Sequence, residues 1–282
     1  MVLVKDLIAR GDLEKIFIPL LPLFPQAFAY VKGELLDRVW PAVKPLLESR
    51  GIDTGLNRDA LIRDLMKEDP VELASEIDRE PFKTLVRTIL SARSKDEQTI
   101  KVSEALFNHG YDTAEKLAAA PPEKVEEIIK PIGFYRAKTK SIQGAARMLI
   151  EQFGGKVPST YEALLELPGV GPKVANCVLV YAFGIPAIPV DTHVHRIVNR
   201  WGLVETTDPE KTCDQLMKIL PREWWLVIND LLIRFGKEIC KPITPICNAC
   251  PLDAICPKII TPNKPRKKAE RTGKAGSKKK KK

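Results

Sequence analysis

Leu167-Pro168-Gly169-Val170-Gly171-Pro172-Lys173 runs directly into Val174 to Phe183, a stretch in which every residue except Asn176 is apolar. Gly169 and Gly171 allow a tight turn with positive φ and close backbone approach, and Pro172 suits the first position of a helix. The reading is a turn feeding a helix over Pro172 to Phe183. Such a hairpin turns backbone N–H groups outward at a helix N-terminus, a phosphate site that needs no basic side chain. The plainer alternative is an ordinary turn between helices. Outward from this point, Pro and Gly punctuate stretches with apolar spacing near 3.6, and strand signals are almost absent, so the chain is expected to be all-α. Further helices are expected over Asp96 to Asn108, Glu123 to Lys130, Arg136 to Phe153, Val194 to Trp201, Pro209 to Ile219 and Glu223 to Phe235.

Lys173 sits where a lysine is unfavourable, because a cation in the first turn opposes the helix dipole. The same field, with burial in apolar surroundings, is expected to lower its pKa and leave a neutral amine able to attack a carbon centre and form a Schiff base. The alternative is a lysine that pairs with a phosphate. Eighteen residues on, Val190-Asp191-Thr192-His193 precedes another helical pattern. Asp191 reads as the N-cap of that helix, or as a carboxylate facing a reacting sugar, where it would favour the ammonium form of Lys173 and stabilise developing positive charge. His193 is expected to be a structural hydrogen-bond partner.

Cys240, Cys247, Cys250 and Cys256 crowd four thiols into seventeen residues. Loops this short suit one metal centre better than two disulfides. Only Cys247 and Cys250 form the close pair that zinc knuckles use twice, so an iron-sulfur cluster is preferred and zinc is the rival. Cys177 and Cys213 read as buried thiols, and free thiols with a thiolate centre imply a reducing compartment.

The formal charge of +9 is unevenly placed. Eleven Lys or Arg and one Glu fall between Thr261 and Lys282, so residues 1–260 carry 34 basic residues against 35 acidic. The tail is expected to be a disordered cationic arm that adds salt-sensitive attraction to phosphate. Residues 16–24 are apolar, but Pro19, Pro22 and Pro25 break the run, which fits neither a signal peptide nor a membrane span. An intracellular protein without membrane attachment is expected. Residues 1–57 carry a helical pattern around Ala27 to Leu47, interrupted by Pro41 and Pro45, with no chemical constellation; a docking site for a protein partner is one use for them.

Leu167 to Lys173, Val190 to His193 and the spaced cysteines, in that order, resemble the endonuclease III family of DNA base-excision glycosylases, from about residue 58 to Pro257. The resemblance implies an all-α helix-hairpin-helix glycosylase fold of two domains with a DNA cleft between them: a six-helix domain over 73–185 and an iron-sulfur domain from 58–72 and 186–260. Residues 1–57 and 261–282 are left as a helical extension and a tail. It further implies a monomer acting on double-stranded DNA with damaged bases or abasic sites, and a [4Fe-4S] cluster on the four cysteines. The activity implied is removal of an oxidised pyrimidine followed by strand cleavage. Lys173 matches the family's nucleophile for C1′, and Asp191 its catalytic aspartate.

The remaining site residues are expected to meet DNA. Gly169, Val170 and Gly171 form the hairpin, and Lys241 lies inside the cysteine loop. Arg93 stands where the family often has a glutamine that fills the hole left by the flipped base; its paired donors suit an orphaned guanine. Phe134 is the candidate wedge. Lys173 favours a combined glycosylase and lyase over the mismatch or uracil glycosylases of the same superfamily, and a non-catalytic iron-sulfur DNA-binding module is the alternative from another class.

Overall fold

The computed structural model describes residues 80–259 continuously and, before them, residues 6–7, 10, 12, 14–21, 33–49 and 54–55. The expected crossover segment 58–72 and the basic tail 261–282 lie outside the described residues.

Among the described residues the regular structure is entirely helical: α1 (Glu14–Phe17), α2 (Gly33–Glu48), α3 (Pro81–Ser91), α4 (Asp96–Asn108), α5 (Ala114–Ala119), α6 (Pro122–Ile129), α7 (Tyr135–Phe153), α8 (Tyr161–Glu166), α9 (Pro172–Phe183), α10 (Thr192–Arg200), α11 (Pro209–Ile219) and α12 (Ile228–Glu238), with short 3-10 turns at Arg222–Trp224 and Cys247–Ala249. The sequence reading omits α1, α3, α5 and α8. It also draws one helix from Glu223 to Phe235 where the chain makes a 3-10 turn, a break and then α12. The break turns Trp224 into the core while α12 buries Leu231, Leu232 and Phe235.

Two apolar cores result. The first gathers α3 to α9, from Phe82 to Ala187; α9 packs on α3 and α8, and α7 on α5 and α6. The second runs from Ile188 to Leu252 and packs α10 against α11 and α12. The division falls within the irregular segment 184–190.

The second core also contains Leu7, Ile16, Phe17, Leu20, Leu21, Val39, Val43 and Leu47. The described part of residues 1–57 is therefore an added layer on that core, and these apolar side chains are already covered by the protein itself. Pro41 and Pro45 do not interrupt α2. They lie one turn apart on its exposed side, while Val39, Val43 and Leu47 face inward at the same spacing. The two missing N–H groups thus fall where water can satisfy the carbonyls they leave open.

Phe17 packs on Trp224 at 4.7 Å between ring centroids and on Trp201 at 6.4 Å, and Trp201 in turn meets Phe235 at 5.9 Å. This aromatic group joins the N-terminal layer to the helices beneath the cysteine loop. Phe17→Ala is expected to cost about 3 to 5 kcal/mol through lost burial and a residual cavity, read from denaturant unfolding; a loss no greater than that of a surface substitution would mean the layer is not part of the core.

Candidate active site and metal centre

A cleft of about 980 Å³ is lined from both cores, by Arg93 and Asp96 at the α3–α4 turn, Lys173 and Cys177 on α9, and Asp191 and His193 at the start of α10. The hairpin places Lys173. Gly169 has φ +83°, and a Cβ there would come 2.6 Å from the Ser141 Cβ, so both the turn and its fit against α7 require glycine. Gly171 differs from expectation. It is extended, with φ −107° and ψ −179°, and acts as the N-cap of α9 without a side-chain cap bond; a Cβ there would meet no protein atom. Its N–H end of the helix is open. The Val170 side chain is buried, and its N–H closes the turn on the Leu167 carbonyl.

Asp191 has the capping role that its position suggests. Oδ1 accepts from the N–H groups of His193 and Val194, both at 2.8 Å, which leaves the second oxygen uncommitted to the cap. The segment that carries Asp191 is held from both sides: Asn176 on α9 donates to the Ile188 carbonyl at 3.2 Å, and Asn229 on α12 to that of Pro189 at 2.7 Å. Tyr181 completes the set by donating to Asn229 Oδ1.

The electrostatics at Lys173 reverse the sequence expectation. The lysine is held above its ordinary range, first by the Cys177 sulfur, one turn further along α9, and also by the Asp191 carboxylate; burial acts the other way without prevailing. Cys177, 3% exposed, is itself pushed up by burial, against the opposing attraction of Lys173. The ammonium is the resting form. Burial holds His193 below its ordinary value, as a neutral imidazole, and Arg196 donates to its Nδ1 at 3.2 Å.

Two cleft residues escaped the sequence reading. Asp96 of α4 pairs with Lys237 of α12 across the cleft, a contact between positions 141 residues apart that no local pattern could reveal. Cys177 was legible as a neighbour of Lys173 from the four-residue spacing on one helix. Cys213, expected buried, is only partly so. Arg93 lies at the cleft, and its guanidinium stands over the Phe134 ring at 5.8 Å, so the two residues proposed for DNA contact from separate segments meet. Phe134 is 65% exposed, unlike a core aromatic.

Cys240, Cys247, Cys250 and Cys256 line one cavity floored by Trp201 and Phe235. Among the described residues no three Cys, His, Asp or Glu side chains close tightly enough to hold a single metal ion. Four thiols around one shared space are the donor set that a cluster with one thiolate at each corner would need. The surrounding donors suit a negatively charged sulfur cage: Arg200 reaches Cys240 Sγ at 3.5 Å and the Lys258 N–H reaches Cys256 Sγ at 3.4 Å. Arg200, 7% exposed, also donates to the Lys241 carbonyl at 2.6 Å, and Arg196 to that of Cys240 at 2.8 Å. Both arginines come from α10, the helix that Asp191 caps. Gly236 lets α12 approach it closely, since a Cβ there would lie 2.5 Å from His193 Nδ1. Lys241 is exposed in the cysteine loop and does not line the cleft.

Residues 86–222 match the HhH-GPD superfamily base excision DNA repair protein family. Endonuclease III of Thermotoga maritima is 45% identical over 198 residues, which cover 70% of this chain and 91% of that protein. A non-covalent endonuclease III–DNA complex superposes with a TM-score of 0.62 at 38% identity, covering 72% of this chain and 96% of that one. A trapped endonuclease III–DNA covalent intermediate, an estranged-adenine complex, gives 0.62 at 37% identity, covering 72% and 97%.

Proposed function

The chain belongs to the endonuclease III family of base excision DNA repair glycosylases and AP lyases, and we propose that it removes oxidised pyrimidines from duplex DNA with Lys173 as nucleophile and Asp191 as its proton partner. The observation that carries this reading is the convergence of those two residues, from different cores, on one cleft. A non-catalytic DNA-binding module would leave their meeting unexplained.

The lesion must leave the base stack to reach a cleft of this kind. Lys173 then passes a proton to the Asp191 carboxylate, and the freed lone pair bonds C1′ as the glycosidic bond breaks and its electron pair departs with the base. Asp191 also stabilises positive charge on the sugar as the bond lengthens. Ring opening yields an imine between Lys173 and C1′. Loss of a C2′ proton expels the 3′ phosphate, and water hydrolyses the imine to release the lysine. A resting ammonium suits this order, because the nucleophile is made only where a carboxylate can receive its proton.

The open N-terminus of α9 and the clear space above Gly171 suit a backbone phosphate. Arg93 fills the gap left by the flipped base and favours guanine opposite the lesion, with Phe134 as the wedge. The four cysteines hold a [4Fe-4S] cluster, whose contribution is structural: it ties the Lys241 loop to the arginines of α10. The tail from Thr261 adds non-specific attraction to DNA. No described helix is long and apolar enough to cross a membrane.

Borohydride reduction with an abasic-site duplex is expected to leave a covalent complex with the native chain and none with Lys173→Gln; a native chain that binds the duplex without forming an adduct would refute the lyase mechanism. Trapping should accelerate with rising pH, because a raised lysine pKa keeps the amine scarce at neutrality. Cys177→Ala, which removes the leading cause of that rise, should move the profile to lower pH, and a shift upward would contradict the assignment. The purified chain is expected to carry iron and acid-labile sulfide in equal amounts; stoichiometric zinc would restore the rival centre. Comparable excision of thymine glycol opposite guanine and adenine would remove the role given to Arg93.

A further inference from the structure

Arg93 and Phe134 share an unusual backbone. Each is a non-glycine residue in the left-handed region, at φ +56° and +59°; the remaining example among the described residues, Lys258, lies in the cysteine segment. That conformation is costly for a residue with a Cβ and persists only where the surroundings enforce it. Two such residues in contact across separate segments call for a common restraint.

Lys138 supplies contacts to both. It lies in the first turn of α7, where its backbone N–H closes on the Phe134 carbonyl at 3.0 Å. Its Nζ crosses to the other segment, donating to the Leu90 carbonyl at 2.7 Å and to Ser94 Oγ at 2.6 Å. These two acceptors bracket Arg93. The Leu90 carbonyl belongs to the last turn of α3, where helix carbonyls lack internal partners and a cation is favoured. Ser94 closes the same turn through its N–H to the Ser91 carbonyl at 3.0 Å. One side chain thus grips the Arg93 turn before and after the residue while its backbone holds the Phe134 carbonyl.

Lys138 is 7% exposed, and burial pushes its pKa down to about 8. A buried ammonium is unfavourable compared with an apolar side chain of the same volume, so core packing alone does not account for a lysine here. Lys138 does not line the cleft.

We propose that Lys138 is a positioning residue for recognition of the base opposite the lesion: it locks the Arg93 turn to the Phe134 turn, so that guanidinium and ring enter the duplex as one preassembled plug. The proposal rests on the reading of Arg93 and Phe134 given above. A plug ordered beforehand loses less freedom when it replaces the flipped base, and fixed donors discriminate orphaned bases better than a mobile arginine. Lys138 acts through these two residues and touches no reacting atom.

The test is single-turnover excision of thymine glycol opposite guanine and opposite adenine, set beside borohydride trapping on a single-stranded abasic oligonucleotide, which has no orphaned base. Lys138→Met keeps the stem and removes the donors; Ser94→Ala deletes one anchor without disturbing the core. Both are expected to slow duplex excision, Lys138→Met by about tenfold, and to shrink the difference between guanine and adenine, while single-strand trapping stays within about twofold of the native chain. In an Arg93→Ala background, adding Lys138→Met should cost less than about threefold, since coupled residues are non-additive. Equal losses on single-strand and duplex substrates would assign Lys138 to stability alone and overturn the proposal. So would an undiminished Lys138→Met effect without Arg93, or an Arg93→Ala change in preference that neither Lys138→Met nor Ser94→Ala reproduces; this last outcome leaves the Arg93 reading intact. If Arg93→Ala itself excises both duplexes as the native chain does, that reading fails and the plug fails with it.

Discussion

The active cleft depends on how the chain passes from one core to the other. Gly184–Val190 is irregular backbone between two helices, and its carbonyls at Ile188 and Pro189 lie where burial would leave them costly without donors. Asn176, from the helix that carries Lys173, and Asn229, from the helix that leads to the cysteines, satisfy them. Both amides are themselves buried. The pair fixes the height at which the segment crosses, and therefore where α10 begins. Asp191 then caps that helix with one oxygen and keeps the other uncommitted to the cap. The carboxylate proposed for the chemistry is thus also the one that fixes the start of α10.

From α10 the constraint spreads to the metal centre. Arg196 and Arg200 follow Asp191 by five and nine residues and bond the backbone of the cysteine loop. Displacement of that loop would pull on the helix that Asp191 caps. This gives the cysteine loop a mechanical connection to the start of α10. The aromatic group of Phe17, Trp201, Trp224 and Phe235 underlies the same region. The N-terminal layer thus braces the cysteine-bearing half.

Much of the local structure was legible from the chain. The Pro172–Phe183 helix follows from a glycine turn, proline at its first position and an apolar run, and the Asp191 cap from a short acidic residue before a periodic segment. α3 was equally readable from Phe82, Leu85, Val86, Ile89 and Leu90 at helical spacing, although the sequence reading passed over it. Pro41 and Pro45 misled because a proline's effect depends on whether its side of the helix faces water. Gly171 misled for a related reason: the motif names two glycines, but the positive φ falls at Gly169 alone, where the turn packs on α7.

The sequence by itself determined the helical class, the order of the motifs, the spacing of four thiols suited to one metal centre, and the lysine and carboxylate proposed for the chemistry. These are properties of neighbours along the chain, where composition and short-range periodicity suffice. Only the tertiary structure decided the charge state of Lys173, because the sign of the shift depends on a sulfur and a carboxylate outweighing burial, and that balance varies with distance. It also brought Arg93 to Phe134, Asp96 to Lys237 and Lys138 to Leu90 and Ser94. Contacts between residues 41 to 141 positions apart leave no mark in local sequence; they exist because two cores pack in one relative orientation and their surface turns must meet along its edge.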